Sequence, residues 1–103
     1  MKSEGQKQSQ KHEKRLAKEL GGQVNAASGA MWNRKGDVRT GKVLLEHKYT
    51  GKKSFTLKAS ELEKIVMEAI LDNRMPVFAI HLNGEDYVLH CESDWLELEA
   101  KAL

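Results

Sequence analysis

Val43-Leu44-Leu45-Glu46-His47-Lys48-Tyr49 is the stretch on which the reading of this chain turns. As a strand it sends alternate side chains to opposite faces, so Glu46 and Lys48 share one face while Leu45, His47 and Tyr49 share the other. A carboxylate therefore stands beside an ammonium in an otherwise apolar run. Exposed strand faces are commonly charged, and such a pair alone is no more than that. Its meaning depends on what surrounds it.

Working outward, Asp37 lies nine positions before Glu46, with Thr40-Gly41 between them as a turn, and a hairpin here brings the two carboxylates together. Converging carboxylates repel unless a cation or a proton intervenes. Hard oxygen ligands open to water suit magnesium, which keeps several waters and takes one or two carboxylates plus a substrate phosphate. Such an ion polarises a phosphodiester and activates a bound water, and Lys48 could orient that water. Further upstream, His12 to Leu20 reads as a helix with the apolar stripe Leu16, Ala17 and Leu20, and Glu13 lies on that stripe. A carboxylate at a core edge requires a partner: a metal, its water, or Lys48. The alternative is a solvated Glu13 beside Lys14 and Arg15.

Taken in order, Glu13 to Leu20, Ala27-Ser28-Gly29-Ala30, Lys35-Gly36-Asp37-Val38 and Leu44-Leu45-Glu46-His47-Lys48 resemble the PD-(D/E)XK nuclease superfamily. Within it the chain is most similar to the archaeal and phage-type Holliday junction resolvases, and Ala69 followed by Asn73-Arg74-Met75-Pro76-Val77-Phe78-Ala79-Ile80 extends the likeness. The similarity runs from roughly Lys11 to Leu98. It implies an α/β, restriction-endonuclease-like fold, a mixed central sheet flanked by helices in a single domain. It also implies catalytic roles for Glu13, Asp37, Glu46 and Lys48. The implied metal ligands are Asp37, Glu46 and the His47 backbone carbonyl, holding Mg2+, with Mn2+ able to substitute. Ser28 would lie in a loop near the scissile strand. The implied activity is phosphodiester hydrolysis by paired nicks in four-way DNA, carried out by a homodimer. Two departures stand out: Ala30 occupies the place of a second serine, and Gly36 precedes Asp37 where the superfamily's name has proline.

Charge distribution fits a DNA partner. Residues 1–58 carry 14 Lys plus Arg against 5 Asp plus Glu, a balance of +9, whereas residues 59–103 carry 3 against 10, a balance of −7. The basic half contains the candidate catalytic residues, and duplex DNA is bound largely through phosphate neutralisation. Arg34, Lys35, Lys52 and Lys53 are candidate substrate-binding residues. A chance asymmetry dispersed by folding is the competing explanation. At 103 residues the chain is one domain, small enough that oligomerisation would help it. No apolar run approaches the 18 or so residues of a membrane span, and the opening Met1-Lys2-Ser3-Glu4-Gly5 is not a secretory signal. The expected location is the cytoplasm, that of a host cell if the chain is phage-encoded.

The remaining segments follow from local pattern. Residues 1–10 lack apolar periodicity and read as a flexible basic arm, leaving residues 11–103 as the nuclease domain. Gly21-Gly22 ends the first helix, a strand follows near Gln23 to Ala27, and Met31 and Trp32 in the next loop pack, form a dimer contact, or stack on a base. Ser60 and Glu63 form a capping-box pattern opening a second helix, whose stripe Leu62, Ile65, Val66, Ala69 and Ile70 faces the sheet. Pro76 leads into a strand from Val77 to Leu82, and Asn83-Gly84 turns it into a hairpin with Tyr87 to Cys91. Cys91, the single cysteine, reads as a buried structural thiol rather than a zinc ligand. A last helix with Trp95, Leu96 and Leu98 packs on the sheet or on a second subunit.

Two further function classes remain open at this stage. One is a related nuclease acting on nicked, flap or duplex DNA. The other is a non-catalytic DNA-binding subunit, against which the intact set of acids and lysine argues.

Overall fold

A computed structural model of the protein describes residues 4–24 and 38–102. The elements run α1 (Glu4–Leu20), β1 (Gln23–Val24), β2 (Val38–Arg39), β3 (Val43–Thr50), α2 (Ala59–Leu71), β4 (Met75–Leu82), β5 (Glu85–His90) and α3 (Glu92–Ala102). The strands form one mixed sheet in the order β1-β2-β3-β4-β5. Among the described strands only β3 and β4 are parallel, joined by the α2 crossover; the other described pairs are antiparallel.

Leu44 and Leu45 are both fully buried although they point to opposite faces of β3. A strand covered on both faces needs apolar residues in succession, which is what this stretch supplies. Leu45 packs with Val38, Val77, Ala79 and Ala17 of α1, while Leu44 packs with Ile65 and Ala69 of α2. The fold is therefore α/β with helices flanking a central sheet, as expected from the sequence.

Local chemistry explains the chain reversals. Gly21, at φ +69°, lets the chain leave α1: the Gly22 N–H donates to the Ala17 carbonyl (2.8 Å) and the Gly21 N–H to that of Lys18 (3.3 Å). Asn73, at φ 55°, ends α2 in the same way, with the Arg74 N–H on Ala69 (2.8 Å) and the Asn73 N–H on Ile70 (3.1 Å). Asn83 and Gly84, at φ 50° and 78°, form the tight turn between β4 and β5, whose last rung pairs Leu82 with Glu85. Between β2 and β3 the Thr40 hydroxyl accepts from the Lys42 and Val43 N–H groups, closing the expected Thr40-Gly41 turn.

Several expectations are corrected. Residues 4–10 are helical rather than a flexible arm: Glu, Gln and Lys are good helix formers without an apolar stripe, and the Ser9 hydroxyl lies 3.3 Å from His47 Nδ1, tying this part of α1 to the sheet. The capping box is absent, because α2 already begins at Ala59, Lys58 occupies the cap position and no side chain caps it. Ser60 therefore falls inside the first turn, where its hydroxyl has no cap to make. Ile70 is 64% exposed, since the stripe that touches the sheet is narrower than the apolar pattern. Cys91 is half-buried and follows β5, where its carbonyl accepts from the Asp94 and Trp95 N–H groups at the start of α3. That helix buries none of its residues. Met31 and Trp32 lie outside the described residues, as do residues 25–27 of the expected first strand.

Candidate active site

The pleat of β3 turns Glu46 and Lys48 toward the α2 layer, with Lys48 Nζ 3.6 Å from Glu46 Oε1. Both line a cleft of about 200 Å³ together with Glu61, Lys64 and Glu68 of α2 and with Ile65 and Phe78 at its base. Neither is sealed: the Lys48 side chain is 37% and that of Glu46 26% exposed. The helix supplies its polar lining at a spacing of three and four residues, one face of α2 above Glu46 and Lys48. Glu61 Oε2 is buried and has no hydrogen-bond partner among the described residues. Three carboxylates and two ammonium groups thus line one water-accessible space.

Glu13 is carried by the other layer. It is buried on the α1 stripe with Ala17, one and three residues from His12 and Leu16, above the sheet face of Leu45 and His47. The structure thus brings Glu46 and Lys48 together and sets Glu13 in the layer across the sheet from them. Asp37, Ser28, Arg34 and Lys35 lie outside the described residues. Val38, the residue after Asp37, pairs with Leu45, the residue before Glu46. Beyond Leu45 no described strand pairs with that edge of β3, so the segment with Glu46 and Lys48 has one side uncovered by the described sheet. Lys52 and Lys53 are exposed just past the end of β3, and the Lys52 carbonyl accepts from the Asn83 N–H (3.2 Å), which ties this link to the β4–β5 turn.

The α1 face carries a second cluster that the sequence reading did not include. His12 of α1 stacks over His47 and Tyr49 of β3, with ring centroids 5.5 and 5.9 Å away, and meets His81 of β4 in a tilted arrangement at 4.3 Å. His81 Nδ1 is 2.7 Å from Asp86 Oδ1 of β5, and Arg15 reaches the other carboxylate oxygen at 3.7 Å. Burial and then His12 push the His47 imidazole down to about 4. His12 is also lowered, mainly by burial and next by His81, while the hydrogen bond from His81 holds Asp86 below the ordinary carboxylate value. Ligand atoms of His12, His81 and Asp86 all lie within 4.8 Å of one another, a cluster able to chelate a divalent metal. One local signal was available: a two-residue Asn83-Gly84 hairpin places His81 opposite Asp86, as the register shows. Nothing in the sequence places His12 above them.

Comparison with known proteins bears on the fold. The chain superimposes on the Hjc Holliday junction resolvase of the archaeal hyperthermophile Archaeoglobus fulgidus with a TM-score of 0.62 and 21% sequence identity, covering 78% of this chain and 73% of that one. The chain therefore shares the fold of that protein, as the motifs implied. No protein-family model matches the sequence, and no curated protein sequence matches it. Among the described residues no helix is long and apolar enough to cross a membrane.

Proposed function

We propose that this chain is a metal-dependent, structure-selective DNA endonuclease that acts as a homodimer on four-way junctions, hydrolysing phosphodiester bonds by paired nicks. The observation that carries this reading is the Glu46–Lys48 pair on one face of the central strand, lining a polar cleft in a resolvase-like fold.

Asp37, Glu46 and the His47 backbone carbonyl would hold Mg2+ or Mn2+. When bound, the ion supplies Lewis-acid polarisation of the scissile phosphate and lowers the pKa of its water. Lys48 donates hydrogen bonds from a flexible ammonium, which suits it to orient the attacking water and offset charge developing on the phosphorus oxygens. The Glu46 carboxylate at 3.6 Å keeps that ammonium on the cleft side. Glu61 and Glu68 add negative potential, so cation binding relieves repulsion among carboxylates. Glu13 is the helix acid of this reading, carried by α1 on the other side of the sheet. Lys52 and Lys53, with Ser28, Arg34 and Lys35, contact the phosphate backbone. The cytoplasm is the proposed place of action.

The test compares cleavage of a four-way junction with that of linear, nicked and flap DNA of matched sequence, with Mg2+, with Mn2+ and in excess chelator. Expected is metal-dependent, paired cutting of the junction, lost in Glu46→Gln and Asp37→Asn. Equal rates on junction and linear DNA would replace the resolvase by a broader nuclease. Junction binding without cleavage under any metal would leave only a DNA-binding subunit.

A further inference from the structure

The imidazole cluster on the α1 face is separated from Glu46 and Lys48 by the sheet itself, and the phosphodiester chemistry does not use it. Its members come from three elements far apart in the chain: His12 on α1, His81 near the end of β4 and Asp86 near the start of β5. Imidazole nitrogens are poor ligands for magnesium but good ones for zinc and its first-row neighbours. We propose that His12, His81 and Asp86 form a second metal site, selective for a zinc-type divalent transition ion, which clamps α1 to the β4–β5 hairpin.

Geometry supports the assignment. Asp86 Oδ1 is the common point, 2.7 Å from His81 Nδ1 and 3.9 Å from His12 Nδ1. Ligand atoms about 2.0–2.1 Å from a tetrahedral ion stand roughly 3.3 Å apart. Entry of the ion therefore requires the His81–Asp86 contact to open slightly and the His12–Asp86 contact to close, both by side-chain movement alone. Ring stacking of His12 on His47 and Tyr49 limits its tilt. Arg15 engages Asp86 Oδ2, leaving Oδ1 for the ion. The Asp86 and His12 side chains are 51% and 18% exposed, so an ion can enter from solvent and keep water in its remaining position.

The consequence is mechanical. Of the three contributors, α1 makes no backbone ladder to the sheet, and a bond from His12 to a metal fixes the helix at the residue next to Glu13. On the reading in which Glu13 contributes to cleavage, the ion would set that acid's position without touching substrate.

The experiment uses the full chain stripped with chelator and then titrated with Co2+, read from its visible ligand-field bands, and with Zn2+, read by competition with a chromogenic chelator. Expected is one equivalent bound with imidazole-type cobalt bands, retained in a large excess of Mg2+ and in Glu46→Gln. Asp86→Asn and His81→Gln should each weaken Zn2+ by at least the roughly 10–100-fold typical of losing even an outer-shell partner. Asp86 is exposed, so Asp86→Asn tests the site without endangering the fold. Affinity unchanged in Asp86→Asn, displacement by Mg2+, or loss in Glu46→Gln instead would overturn the proposal. No readout depends on nuclease activity, so its failure and that of the nuclease reading are separable.

Discussion

At the scale of single residues, Glu46 and Lys48 carry opposite charges into the same cleft and should fail in different ways. Glu46→Gln removes negative charge near phosphates, so junction binding should stay equal or tighten while cleavage falls by more than the roughly 100-fold upper cost of losing an outer-shell partner. Lys48→Ala should also abolish turnover, but with weaker binding and, if the ammonium meets a phosphate, a salt slope smaller by about 0.9. Gel-shift titrations at several salt concentrations beside single-turnover cleavage would separate the two. A different residue governs acid stability. His47 is neutral in the fold down to about 4, whereas the unfolded chain protonates near 6.5, so its contribution is complete above 6.5 and is lost as pH falls from there toward 4. His12, Arg15, His81 and Asp86 face it, and the Asp86 charge partly opposes the loss. The full shift corresponds to about 3 kcal/mol as an upper figure. Urea midpoints in chelator should drop between pH 7 and 4.5, and less so in His47→Gln; equal pH dependence in both proteins would remove His47 as the cause.

At the scale of elements, the join between α1 and the sheet is the tightest backbone approach among the described glycines. A Cβ on Gly22 would stand 2.5 Å from the Arg39 carbonyl oxygen and 2.7 Å from the Thr40 methyl, and the oxygen belongs to backbone that cannot rotate away. Gly22→Ala should cost about 1–3 kcal/mol, the usual range for overpacking. The urea midpoint should fall accordingly, and a wild-type midpoint would show that β1 and β2 yield freely. Helix α1 makes a second prediction. Because it starts at Glu4 and its Ser9 hydroxyl lies at His47, deleting residues 1–10 removes a turn-rich piece of folded helix instead of a loose arm. Loss of that hydrogen bond alone is worth about 0.5–1.5 kcal/mol. The melting temperature should therefore fall by several degrees, roughly 4–8 °C per kcal/mol for a domain of this size. An unchanged melting temperature would mean that the first two turns carry no stability.

For the whole molecule, the unmet apolar surface is the main clue to assembly. Trp95, Leu96 and Leu98 of α3 are 50%, 52% and 41% exposed, and Tyr87, Val88 and Leu89 of β5 are exposed as well. Paired nicking of a junction needs two sites related by a two-fold axis, which one chain with one Glu46–Lys48 cleft does not supply. A homodimer is expected by sedimentation, and Leu98→Asp should yield monomers that bind junctions more weakly and cut one strand without its pair. If Leu98→Asp stays dimeric, α3 is not the interface; if the wild-type chain sediments as a monomer while cutting pairs, the symmetric-dimer mechanism fails.

Much of this was legible in residues close together in the chain. Strand alternation put Glu46 beside Lys48, Gly21-Gly22 ended a helix, and Asn83-Gly84 closed a hairpin, because side-chain period and sign of φ are decided within a few residues. The fold class followed from the same local signals and the motif order. Local pattern misled where neighbours outside the window mattered: Ser60 resembled a cap although α2 starts before it, and residues 4–10 looked free although Ser9 meets a histidine 38 positions away. Only the tertiary structure decided which helix covers which face of β3, and hence that Glu61, Lys64 and Glu68 look onto Glu46 while His12 looks onto His81 and Asp86. No spacing in the chain encodes those meetings. They depend on Ala17 packing against Leu45, Val77 and Ala79 and on Ile65 and Ala69 packing against Leu44, burial summed over whole elements rather than any pairing between near neighbours.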